Sequence, residues 1–207
     1  MLALAKRLLI WCGRFRHRCG YGVHSPSDFF LITSVIYEKY PFYAYSSLKR
    51  RQFDSCSHYR RKIYRLIFRL INYYQPDSVI DIACDGGRSI EYMKAASKNM
   101  SCHTFDMFDD DKSLLELQKI MERKGKVDCV HIGFTSRYRD IWNMAMDYVN
   151  ENSIILVEKP YSSSDRKRWW KGLLNDKTAV VTFDLYDIGI VLFPLKRYKQ
   201  NYIVNFL

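Results

Sequence analysis

From Ser78 onward, short apolar runs alternate with amphipathic stretches, and this alternation limits the chain to few folds. The runs are SVIDIA (78–83), SCHTFD (101–106), VDCVHIG (127–133) and NSIILVE (152–158). Near-continuous apolar runs of this length read as strands covered on both faces. The intervals DKSLLELQKIMERKG (111–125), RYRDIWNMAMDYVNE (137–151) and SSSDRKRWWKGLLND (162–176) carry helical spacing, the last with Ser163 or Ser164 as its cap. TAVVTFDL (178–185) and GIVLFPL (189–195), joined by the tight link YDI, predict a closing antiparallel hairpin. The pattern predicts an α/β fold: a doubly wound, mostly parallel sheet with helices on both faces and a C-terminal antiparallel hairpin.

The first third differs. Residues 57–74 predict a helix with an apolar stripe of Ile63, Leu66, Ile67, Leu70 and Ile71. Its basic flank is Arg60, Arg61, Arg65 and Arg69, and Gln75–Pro76–Asp77 stops it. Residues 2–18 predict an amphipathic helix with Leu4, Leu8, Cys12 and Phe15 on one side and Lys6, Arg7, Arg14 and Arg18 on the other. Such a helix lies on a membrane surface or docks on its own domain; docking is the expectation. After a Gly- and Pro-containing turn, Ser27 or Asp28 is expected to cap a helix from near Phe29 that Pro41 ends, and YPFYAYSSL reads as irregular. The expected organisation is a basic helical extension over residues 1–56 and one globular unit over 57–207.

The chain has 207 residues and a net charge of +11. Residues 1–70 hold 14 Lys/Arg against 3 Asp/Glu, and residues 71–207 hold 19 of each, so the whole excess lies in the first third. That asymmetry implies either an anionic partner, nucleic acid or membrane surface, met through residues 1–70, or a solvated basic face. The six cysteines have no CxxC spacing, which argues against a zinc ribbon and for a reducing compartment. No stretch approaches the roughly 20 apolar residues of a membrane span. LLIWC near the start is too short for a signal peptide core and is followed by arginines, so the expected location is cytoplasmic.

In a doubly wound sheet, ligands bind at the carboxyl ends of the strands. Asp81 ends the first predicted strand, the turn Ala83–Gly87 follows, and Asp106 ends the second strand 25 positions later. An acid there can hydrogen-bond ribose hydroxyls. This layout resembles the class I S-adenosylmethionine (SAM) dependent methyltransferases, whose turn reads acid-x-Gly-x-Gly-x-Gly. Asp81, Ala83, Asp85 and Gly87 stand at the matching positions. YGVHSPSDFF, YPFYAY and LIFRLINYYQPDSVID resemble, in that order, motifs of an uncharacterised Bacteroidetes-type branch of these enzymes. The resemblance implies a Rossmann-like fold, SAM as cofactor, and cofactor contacts from Asp81, Ala83, Asp85, Gly86, Gly87 and Asp106. The methyl acceptor and the catalytic residues stay unassigned.

The departures bear on function. Ala83 and Asp85 replace the first two family glycines, and Asp85 brings a negative charge to where backbone should meet the ligand carboxylate. Gly86 could compensate by shifting the turn. Residues 107–126 fit one helix, where the family places a helix, a strand and an adenine-recognition loop. The metal-dependent relatives place acids where this chain has Gly133 and Glu158–Lys159, so no metal site is expected. Asp109–Asp110–Asp111 is expected to cap a helix rather than bind metal. His24 is either a contact at the site mouth or, as expected, a packing residue. His131 is expected in the core or on a sheet face, and at least one of Trp169 and Trp170 in the core rather than stacking on bases.

Two functions follow. One is a SAM-dependent methyltransferase-like protein, metal-independent if active, with a partly eroded cofactor site. The other is a non-catalytic scaffold of the same fold that binds RNA or a membrane surface through its basic N-terminal third.

Overall fold

The computed structural model describes residues 2–51, 58–83, 85–105 and 110–207. Cys84, within the turn Ala83–Gly87, and Asp106 and Asp109 of the sequence reading lie outside the described residues. The helices are α1 (Leu2–Gly13), α2 (Pro26–Phe30), α3 (Ala44–Arg51), α4 (His58–Tyr74), α5 (Arg88–Ala96), α6 (Asp111–Lys124), α7 (Tyr138–Met146) and α8 (Ser164–Asn175). The strands are β1 (Ser78–Ile82), β2 (Ser101–Thr104), β3 (Val127–Ile132), β4 (Val149–Glu158), β5 (Val181–Asp184), β6 (Ile188–Leu192) and β7 (Gln200–Ile203).

The strands form one sheet in the order β2-β1-β3-β4-β6-β5-β7. The first four pair in parallel, and β6 runs antiparallel to both β4 and β5. The expected mostly parallel sheet with an antiparallel hairpin is therefore present. β7, which pairs in parallel with β5, was not expected. Its residues QNYI carry too little apolar pattern to announce a strand, and both Gln200 and Asn201 are exposed.

Each strand residue sends its side chain to the face opposite its neighbour's. Val79, Cys129, Ile154, Leu156 and Ile190 join the core under α4 and α5. Ile80, Val130, Ile155, Val157 and Val191 join the core under α6, α7 and α8. By the same alternation Asp81, His131 and Glu158 face α4. This step brings three polar side chains into one place.

Several helix bounds differ from the sequence reading. α3 occupies a stretch read as irregular, held by Ala44, Tyr45 and Leu48 in the core. The cap before α2 is Ser25, not Ser27 or Asp28, and the helix begins three residues early because Pro26 suits a first helical position. α2 continues as a wider π-helical stretch over Leu31–Ile36, closed by Tyr37 N–H donating to the Ile32 carbonyl, 2.9 Å. α7 stops at Met146 and β4 begins at Val149, so residues read as helix join the sheet. The caps of α6 and α8 are Asp110 and Ser163, as read.

The N-terminal helix docks on the fold with the opposite face from the one expected. α1 ends at Gly13 rather than residue 18. Leu8, Leu9 and Phe15 are exposed, whereas Arg7, Ile10, Trp11 and Arg14 are half-buried. Two carboxylates of the closing hairpin decide this. Arg7 grips Asp187 with both terminal nitrogens, at 3.1 and 2.8 Å, and Arg14 reaches the Asp184 carboxylate at 2.9 Å and its carbonyl at 2.8 Å. Bidentate pairs of this kind fix orientation as well as position. No helix among the described residues is long and apolar enough to cross a membrane.

Candidate functional site

The turn after β1 follows from its residues. Gly86 and Gly87 both adopt positive φ, 72° and 76°, which glycine takes without the penalty of a side chain. Nothing lies within 4 Å of where a Gly86 side chain would begin, so that backbone is open to approach. α5 starts immediately afterwards, and the first amides of a helix attract anions. Here the anion is internal. The Asp85 carboxylate accepts from the backbone N–H of Arg88 at 3.0 Å and of Ser89 at 3.1 Å. It thus takes the N-cap role that Gly87, with no side chain, cannot fill.

Asp81 is also held from inside. One of its oxygens accepts from Ser89 Oγ at 2.7 Å, and the other lies 2.7 Å from His131 Nδ1. His131 Nε2 lies 3.4 Å from Glu158, which in turn stands 3.5 Å from Arg60 of α4. Asp81, His131 and Glu158 are all buried. Burial alone would push the His131 imidazolium down, but the bonds and charges of Asp81 and Glu158 outweigh it and raise its pKa to about 10. Burial would push Glu158 up; bonding to His131, with Arg60 beyond, holds it below the usual carboxylate range. Burial and the charge of Asp85 raise the Tyr64 phenol well above its ordinary value. The result is a line of buried charges within ion-pair distance of one another, running from β1 through β3 and β4 to α4, directly beneath the turn.

The neighbouring loops are packed onto that turn. Gly133, just after β3, donates its N–H to the Ile82 carbonyl at 2.8 Å. A side chain on Gly133 would begin 2.5 Å from the Ala83 Cα, so the loops after β1 and β3 touch backbone to backbone. Arg166 of α8 then ties the carbonyls of Thr135, Gly133 and Glu158 together at 3.0, 2.8 and 2.9 Å. Beside the end of β4 opens a cavity of about 290 Å³ that includes Lys6, Lys159, Tyr161 and Tyr186. The two tyrosine rings stack with centroids 5.1 Å apart, and Arg14 lies over both.

Of the residues assigned from sequence, Asp81, Ala83, Asp85, Gly86 and Gly87 come together at one strand end, and Asp106 lies outside the described residues. His24 lies elsewhere, exposed and beside Arg197 and Tyr202 near the β7 edge of the sheet. Trp170 is fully buried, and Trp169 packs edge-on against Tyr138 and Trp142. The sequence reading put His131 in the core or on a sheet face but missed its two acidic partners. The signal was available: parallel strands carrying Asp81, His131 and Glu158 at the same phase of the alternation. Among the described residues no group of three or more His, Cys, Asp or Glu could hold a metal ion.

No family model matches the chain, and no curated protein does. Solved structures do. MycE, a methyltransferase of mycinamycin biosynthesis solved with Mg, S-adenosylhomocysteine (SAH) and mycinamycin VI, is similar over 72% of this chain and 54% of its own, with TM-score 0.56 and 16% identity. This chain therefore spans about half of MycE's length. The O-methyltransferase TomG from Streptomyces achromogenes, involved in tomaymycin synthesis and solved with SAM, is similar over 78% of this chain and 96% of its own, with TM-score 0.50 and 12% identity. At such identities the likeness is one of architecture: the chain has the Rossmann-like α/β fold of SAM-dependent methyltransferases.

Proposed function

We propose that this chain is a SAM-dependent methyltransferase-like protein whose cofactor turn is obstructed by its own Asp85. The observation that carries the reading is the pair of hydrogen bonds from the Arg88 and Ser89 amides to that carboxylate. Those amides are the groups that would receive the carboxylate of a bound SAM, and a second negative charge there is repelled. As they stand, the residues of the turn do not fit an open SAM site. Gly86 and Gly87 offer the close backbone approach, and we assign Asp106 the ribose contact. Ala83 lines the turn, and Asp81 supports it from beneath. The motifs at YGVHSPSDFF and YPFYAY support placing the chain in the Bacteroidetes-type branch described above.

Calorimetric titration with SAH tests the reading. Asp85→Gly removes the competing carboxylate, and the expected result is SAH binding tightened at least tenfold, about 1.4 kcal/mol. Asp85→Asn keeps a capping side chain but no charge, so it is expected between the two. Equal or weaker binding in both variants, with the fold intact, would overturn the assignment.

A further inference from the structure

The basic side chains of the first third do not form an even coat. Arg7 and Arg14 are spent on the hairpin carboxylates, and Arg60 faces Glu158. Many of the others converge. One cleft of about 400 Å³ is lined by Arg18, Lys39, Arg61, Lys62, Arg65 and Arg69, with Glu38 its one acidic side chain. It lies between the end of α1, the end of the π-helical stretch, α4 and residues 205–207, on the opposite side of α4 from Arg60. Helical spacing gathers four of these cations, because residues 61, 62, 65 and 69 share one side of α4.

The cleft has a fixed floor. Arg69 is buried and donates to the carbonyls of Val35 and Ile36 at 2.6 and 2.9 Å. Lys62 donates to the Phe206 carbonyl at 2.9 Å and sits 4.2 Å from the centre of that ring. Burial pushes the Lys62 ammonium down, the Asp187 charge opposes it, and Arg7 and Arg69 add to the lowering. Arg65 lies over the Tyr45 ring, and its buried Nε has no hydrogen-bond partner. One wall is aromatic. Tyr37 and Phe206 meet edge to face, and the Trp11 indole has Arg18 over it.

We infer that this cleft binds a small phosphorylated ligand carrying a planar ring, a nucleoside phosphate in chemical class. The cations would meet the phosphate, and the ring would lie against the aromatic wall once the exposed Arg18 side chain swings from Trp11 to the phosphate. The cleft's size is that of a small-molecule site. It is a concavity rather than a track for an extended strand, and the exposed leucines of α1, Leu8 and Leu9, are not among the residues that line it. The inference is independent of the turn at Asp85.

Calorimetry on the full chain, with AMP and inorganic phosphate as probes, tests it. AMP is expected to bind saturably and at least tenfold more tightly than phosphate. Arg65→Gln should weaken AMP about tenfold or more, the scale of one charge-assisted hydrogen bond. Arg18→Gln, at an exposed side chain, gives the same reading should Arg65→Gln fail to fold. Saturating SAH, added to the Asp85→Gly variant, should leave AMP affinity unchanged. Competition by SAH would place AMP at the cofactor turn and overturn the inference. So would the lack of saturable AMP binding, or AMP affinity indifferent to both substitutions. A single-stranded RNA or an anionic vesicle whose binding depends on Arg65 while AMP does not bind would overturn it as well, in favour of an extended polyanion. Because SAH is present as a separate arm, failure here leaves the Asp85 reading standing, and the converse also holds.

Discussion

His131→Ala is expected to destabilise the protein by about 3–5 kcal/mol, the cost of removing one partner from a buried ionic network. Asp81 and Glu158 would then face each other as buried negative charges with only Ser89 and Arg60 to answer them. For a chain of this size the loss corresponds to a melting temperature lower by roughly 6–20 °C. Replacing the network as a whole tests the cause: His131→Leu with Asp81→Asn and Glu158→Gln removes the charges together and should recover most of the loss. A single variant that melts within about a degree of the parent would show that the imidazolium is not what holds the two acids.

The same network fixes a pH dependence. His131 has a folded pKa near 10 against an ordinary 6.5, so the folded state binds the proton more tightly than the unfolded chain. Its contribution is complete below about pH 6.5 and is lost as pH rises toward 10. Glu158 runs the other way: held below its ordinary 4.5, it contributes above that value and is lost as pH falls. Thermal melting between pH 6.5 and 10 should therefore show a falling stability whose slope shrinks in His131→Ala.

The second large effect is expected where β6 passes under α8. A side chain on Gly189 would begin 2.2 Å from the Trp170 ring, and Trp170 is wholly enclosed, its Nε1 donating to Asp184 at 3.2 Å. Gly189→Ala should cost about 3 kcal/mol, since the indole has nowhere to move. Trp170→Ala should cost about 3–5 kcal/mol through the cavity it leaves. The two are coupled. In Trp170→Phe the far ring is gone, and adding Gly189→Ala should cost less than about 1 kcal/mol more. Additive losses in chemical denaturation would mean that the indole is not what Gly189 accommodates.

These effects divide what could be read from sequence from what could not. The order of strands and helices after Ser78 follows from local pattern, because apolar runs and helical spacing are properties of neighbours in the chain. So do the caps at Asp110 and Ser163. The face on which α1 docks is not local. Leu8, Cys12 and Phe15 look like the buried side until Asp184 and Asp187 are known to lie across from Arg7 and Arg14. β7 is set by an open edge of β5, and α3 by three side chains that reach a core the sequence does not display. At the turn, Asp85 could be read as an intruding charge. That it caps α5 needed the positions of two amides.

The clasp between α1 and the hairpin also sets an order of events during synthesis. Arg7 and Asp187 are 180 residues apart, and Asn205 donates from its side chain to the Trp11 carbonyl across 194. Translation at about 5–20 residues per second puts roughly 10–40 s between the emergence of α1 and that of its partners. Through that interval the helix has no acidic groups to grip, while Leu8, Leu9 and Phe15 stay accessible in any case. The nascent chain thus presents a basic, leucine-bearing segment to the ribosome surface and to chaperones well before it can be withdrawn. Docking of α1 cannot precede the emergence of the hairpin.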